Sequence, residues 1–104
     1  MTLTEIRDLL VAVDPTIEHY QSTNQDRDYS VWAEYQRLNL MSDDQHSDEG
    51  WMFQVDRFTK RESDPIATAF FRVLDADPRV AVVHQVDYEP TTGWIHHIFD
   101  CEGC

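Results

Sequence analysis

Three Asp-Pro steps, Asp14-Pro15, Asp64-Pro65 and Asp77-Pro78, constrain this chain more sharply than any other feature. The residue before a proline is pushed out of the α region, so helices end at the first and third steps. At the second step the same pair opens a helix, because Asp64 can cap it and proline is tolerated at the first helical position. Upstream of the first step, Thr2 and Glu5 have the spacing of a capping box, and Leu3, Ile6, Leu9, Leu10 and Val13 recur at helical intervals, which predicts a helix over residues 3–13. Between the second and third steps, Ile66, Ala69, Phe70, Val73 and Leu74 share one helical face. Each of the four large side chains contributes about 1.5–3 kcal/mol when fully buried, so this helix is expected to be the main cover of a sheet.

The remaining segments read as strands. A short one is expected at 16–21, followed by a polar loop at 22–28. Tyr29, Val31, Ala33 and Tyr35 then alternate with Ser30, Trp32 and Glu34, which predicts a strand whose apolar face is the first set and which continues towards Leu38 and Leu40. Residues 42–50 hold Asp43, Asp44, His46, Asp48 and Glu49 and read as an exposed acidic loop. Alternation resumes over 51–59, with Trp51, Phe53 and Val55 opposite Met52, Gln54, Asp56 and Phe58. Val80, Val82, Val83 and Val86, the turn Glu89-Pro90-Thr91-Thr92-Gly93, and residues 94–99 form a hairpin. The expected architecture is a single α+β domain over residues 1–104, in the order α-β-β-β-α-β-β, with one antiparallel or mixed sheet packed against two helices. A chain of 104 residues has room for one core and not two. Trp32, Trp51 and Trp94 fall in three expected strands and are read as core residues, with an interface role as the alternative.

Charge narrows the function. Twenty acidic residues against 8 basic ones give −12 with neutral histidines, which opposes stable nucleic-acid binding because such affinity comes mainly from Lys and Arg displacing counterions. The same charge suits a surface that DNA passes without sticking, or an acidic mimic of DNA that occupies a basic groove. No apolar run approaches the roughly 20 residues of a membrane span, and the first 13 residues lack a secretory pattern, so the chain is expected inside a cell.

The sequence gives little ground for an enzyme. Cys101 and Cys104, with His96-His97 upstream, offer soft ligands, but a single CxxC is a weak zinc signal and adjacent histidines in a strand point to opposite faces. These cysteines read as unpaired thiols on a terminal tail. His46 among Asp43, Asp44 and Asp48 lacks the fixed, buried geometry that tunes a catalytic pKa. Gly50, Gly93 and Gly103 are scattered and form no phosphate or dinucleotide loop. No catalytic residue, metal or cofactor is expected.

The element order and several local phrases resemble the small tail-completion or tail-terminator proteins of long-tailed phages and prophages, which act at the head–tail junction. The phrases are the helical start at 3–10, the strand at 29–35 ending in an aromatic, the acidic turn Ser42-Asp43-Asp44, the run Gln54-Val55-Asp56-Arg57-Phe58-Thr59-Lys60-Arg61 before the second helix, and the closing hairpin with Tyr88. The resemblance implies a virion protein without enzymatic activity, assembled in the host cytoplasm, which forms a ring with itself, usually a hexamer. Such a ring caps the tail tube protein and meets the head connector protein. Asp43, Asp44, Asp48 and Glu49 are then the candidates for a lumen or interface. The alternative from another class is an acidic DNA-mimic inhibitor of a host nucleic-acid-binding protein.

Overall fold

The computed structural model describes residues 1–42 and 46–104; within 40–42 and 46–48 it describes the backbone alone. The elements are α1 (Leu3–Val11), β1 (Glu18–His19), β2 (Tyr29–Ser42), β3 (His46–Thr59), α2 (Pro65–Ala76), β4 (Val80–Glu89) and β5 (Trp94–Gly103). Five strands form one mixed sheet in the order β1-β2-β3-β5-β4, with only the β1–β2 pair parallel. The expected α+β fold and element order are therefore the observed ones.

Local chemistry sets the helix ends. Thr2 and Glu5 form a reciprocal capping box, each side chain accepting from the other's backbone N–H. The Asp64 carboxylate accepts from Ile66 N and Ala67 N ahead of Pro65. Both helices lie on one face of the sheet. Ile6 and Leu10 from α1, with Ala67, Phe70 and Leu74 from α2, join Trp32, Phe53, Val55, Phe99 and Cys101 in the core. Gly103 makes the closest approach, since a Cβ there would stand 3.1 Å from Phe53 and from Met1.

Three expectations are corrected. The core face of β2 is Ser30 and Trp32, not Tyr29, Val31, Ala33 and Tyr35; Trp32 lies opposite Val55 and is buried, while Tyr35 is exposed. The acidic loop is shorter than 42–50, because β2 and β3 pair out to Ser42 and His46 and only 43–45 lie outside the described residues. The cysteines do not sit on a tail: β5 runs to Gly103 along Val80 and Val82 of β4, Cys101 is buried, and Cys104 N donates to Arg79 O at 2.8 Å. Burial pushes the Cys101 thiol up to about 12, with the Asp100 charge adding to it, so it packs as a small apolar group.

A cationic side chain lies inside this acidic protein. Arg57 takes the core face of β3 between Val55 and Thr59 and is 7% exposed. Its Nε donates to Asp64 at 2.7 Å and its Nη1 to Ser30 Oγ at 3.2 Å. Carboxylates of Asp14 and Asp28 stand 3.7 and 3.9 Å from the guanidinium. Burial works against the Asp14 charge, but hydrogen bonds from Thr16 and Ser30 and the nearby Arg57 outweigh it, so its pKa lies below the ordinary value.

Removing one partner from such a cluster leaves buried charge uncompensated. Arg57→Met is expected to cost about 3–5 kcal/mol, read as a lower urea midpoint. A loss under about 1 kcal/mol would mean that the three carboxylates find other partners. Because the folded pKa of Asp14 is depressed, its contribution is complete above the unfolded value of about 3.9 and disappears as pH falls through the folded value. Urea midpoints for Asp14→Asn should accordingly fall below those of the parent at pH 6 and approach them as the medium is acidified.

Candidate assembly surface

Because both helices pack on one face, the other face of the sheet is uncovered. Its strands bring together Tyr29, Val31 and Ala33 of β2, Gln54, Asp56 and Phe58 of β3, and Trp94, His96, Ile98 and Asp100 of β5. Tyr29 stacks on Phe58 at 4.6 Å between centroids, and Phe58 on His96 at 4.0 Å. Trp94 meets Tyr29 and Phe58 edge-on, and the Lys60 ammonium sits 4.8 Å from a Trp94 ring. His96 Nε2 lies 2.7 Å from Asp56 Oδ1, which also accepts from Gln54 Nε2 at 2.8 Å. Tyr35 donates to Asp100 at 2.6 Å; that bond, with some desolvation and the carboxylate charge, raises the phenol to about 12.

The result is a broad platform of packed aromatics with fixed carboxylates. Asp56–His96 has the form of an orienting acid and a base, yet no hydroxyl or thiol hydrogen-bonds the ring among the described residues. Nor does any group of three or more His, Cys, Asp or Glu among them hold metal-binding geometry. His96 and His97 diverge to opposite faces, as strand alternation requires. On the helix side, His97 Nδ1 is 2.9 Å from His84 Nε2, its Nε2 is buried without a partner, and both rings stack towards Phe99.

Of the four acidic candidates, Asp43 and Asp44 lie outside the described residues. Asp48 and Glu49 belong to β3, opposite Leu40 and Asn39. The Glu49 carboxylate accepts from Trp51 Nε1 at 3.1 Å and stands 3.9 Å from Arg37, so it is tied to its own hairpin. Sequence reasoning missed the aromatic platform because its residues alternate as core residues do. It also passed over Arg57, although strand parity with Phe53 and Val55 aims that residue inward.

The two edges of the sheet are unequal. On one side, β1 covers β2 at Val31 and Trp32, and among the described residues the stretch from Gln36 to Ser42 has no strand neighbour on that side. On the other side stands the ten-residue β4, where Val83, Val86 and Tyr88 are 58–59% exposed.

The helix-side histidines give a pH readout. Burial lowers the pKa of both His84 and His97; at His97 the neighbouring His84, 2.9 Å away, lowers it further, Asp64 acts in the opposite sense, and His96 and Arg57 act in the same sense. Both are expected to titrate below the ordinary histidine value of about 6.5 in an NMR series. Their contribution to stability is complete above that value and is lost as pH falls through the folded pKa values. A midpoint above 6.5 for either would contradict the packed arrangement.

No protein-family model and no curated protein matches the chain. Among solved structures it is similar to a chain from a structure described as "Virion of native gene transfer agent (GTA) particle", with 14% identity over 90% of this chain and 81% of that one and a TM-score of 0.56. At that identity the likeness establishes a shared fold.

Proposed function

We propose that this chain is a structural subunit of a phage-type virion, acting as a tail terminator that closes the tail tube as a ring and joins it to the head connector. The observation that carries the reading is the likeness of fold over 90% of the chain to a component of a gene transfer agent virion. Three properties of the chain support it: an uncovered aromatic face, stretches at both sheet edges that are unpaired among the described residues, and a net charge of −12 that would keep a ring lumen from holding DNA. Partners are further copies of itself, the tube protein and the connector. Catalysis forms no part of the role, and among the described residues no helix is long and apolar enough to cross a membrane. The DNA-mimic alternative has less support, because the acids of the open face are interleaved with stacked aromatics and used in hydrogen bonds to His96 and Tyr35.

Deletion of the gene in the strain that encodes it, followed by complementation, tests the role. Wild-type complementation is expected to restore infectious or DNA-transferring particles. The deletion should give tails of abnormal length or tails detached from filled heads in electron micrographs. Mass spectrometry of gradient-purified particles should find the chain as a low-copy component. Particles that lack the chain, and whose yield and form are unaffected by its deletion, would overturn the reading.

A further inference from the structure

The edge of β4 carries charge only at its far end, at Asp87 and Glu89. From Val80 to Glu89 there is no proline, lysine or glycine, no register shift against β5, and, among the described residues, no strand on the outer side. The backbone phase can be followed. Cys104 N donates to Arg79 O, so odd residues of β4 turn their polar groups towards β5 and Val80, Val82, His84, Val86 and Tyr88 turn theirs outward. Val80 N already donates to Asp77 O and Tyr88 N to the Asp87 carboxylate, so among the described residues the outward N–H groups still open are those of Val82, His84 and Val86, and Val86 is 58% exposed beside them.

Among the described residues, a stretch of β2 matches this edge in phase. Tyr20 N donates to Trp32 O at 2.8 Å, so even residues of β2 face outward there, and the register shift between Glu34 and Gln36 reverses the phase. From Arg37 onward, odd residues of β2 present the free backbone groups. Tyr35 to Ser42 carries no acid in a chain of net −12, and it carries Arg37, whose side chain is 68% exposed. The β4 strand carries Asp87 and Glu89. Joining two β4 edges would double that negative charge, whereas joining β4 to the Arg37–Ser42 stretch of β2 brings no further acid from the paired strand.

We propose that the free edge of β4 pairs in an antiparallel ladder with the Arg37–Ser42 stretch of β2 from a second copy of this chain. The direction follows from the sheet: β4 runs opposite to β2 within one copy, so a neighbour that continues the sheet in the same sense brings its β2 antiparallel to β4. Such a contact is heterologous and repeats until it closes, as a ring requires; the choice over a two-fold pair rests on the proposed ring. Only registers that set odd residues of β2 against even residues of β4 keep the hydrogen bonds and side-chain faces in phase. These place Arg37 on the helix side against Val86 or Tyr88, where it can lie over apolar and aromatic surface.

Cysteine trapping in particles tests the pairing. Arg37→Cys and Tyr88→Cys are placed in separate full-length copies carrying Cys104→Ser, co-expressed during particle production and oxidised. A second pair uses Val86→Cys in place of Tyr88→Cys. Wild-type chain carried through the same purification reports whether the chain enters particles at all. The expected result is a mixed Arg37→Cys disulfide with Val86→Cys or Tyr88→Cys, and loss of the mixed species when Val83→Lys and His84→Pro guard the β4 edge in otherwise folded protein. Particles that contain the wild-type chain and give no mixed disulfide would overturn the strand pairing and leave the virion reading standing. A dominant Val86→Cys homodisulfide would also overturn it, in favour of a two-fold β4 contact. Absence of the wild-type chain from particles would overturn the virion reading and, with it, the ring pairing.

Discussion

The buried guanidinium of Arg57 is the interaction on which the arrangement of the domain depends. It ties the middle strand to the turn after α1 through Asp14, to the entry of β2 through Asp28 and Ser30, and to the start of α2 through Asp64. Asp64 does two things at once, capping α2 and pairing with Arg57, so the helix that covers the sheet begins where the cation holds it. A buried ion pair is often no more stabilising than an apolar replacement of the same shape. Its value here is positional, because three segments distant in sequence converge on one planar donor.

That placement puts both helices on the same side and leaves a two-faced sheet with one face in the open. Aromatic stacking and carboxylate hydrogen bonds keep the open face ordered without a covering layer. A domain that fills its core on one side and presents ordered surface and free strand edges on the other is suited to joining others of its kind. With −12 overall, a contact between copies would need charge that is locally matched.

Much of this was legible in the sequence, for identifiable reasons. Caps and proline steps act locally, and so α2, the end of α1 and the hairpin turn were read close to their observed bounds. The inward face of β3 followed from alternation. The inward face of β2 did not, because Tyr29, Val31 and Ala33 are apolar for the sake of the open platform, while Ser30 is buried to serve Arg57. Alternation therefore pointed to the wrong side. The end of β5 was missed for a related reason: Asp100 and Glu102 made 100–103 look polar, although Cys101 and Gly103 continue the inward series begun by Phe99. Of the candidate acids, Glu49 serves its own hairpin, a contact that depends on the register between β2 and β3 and that no local pattern carries.

The central proposal is that this chain is a tail component of a virion. Cryo-electron microscopy of purified particles from the encoding strain tests it most directly. The account expects density for the five-stranded sheet with both helices on one face, repeated as a closed ring at the head-proximal end of the tail tube. A head–tail junction resolved well enough to trace its chains, and built entirely from other proteins, would contradict it.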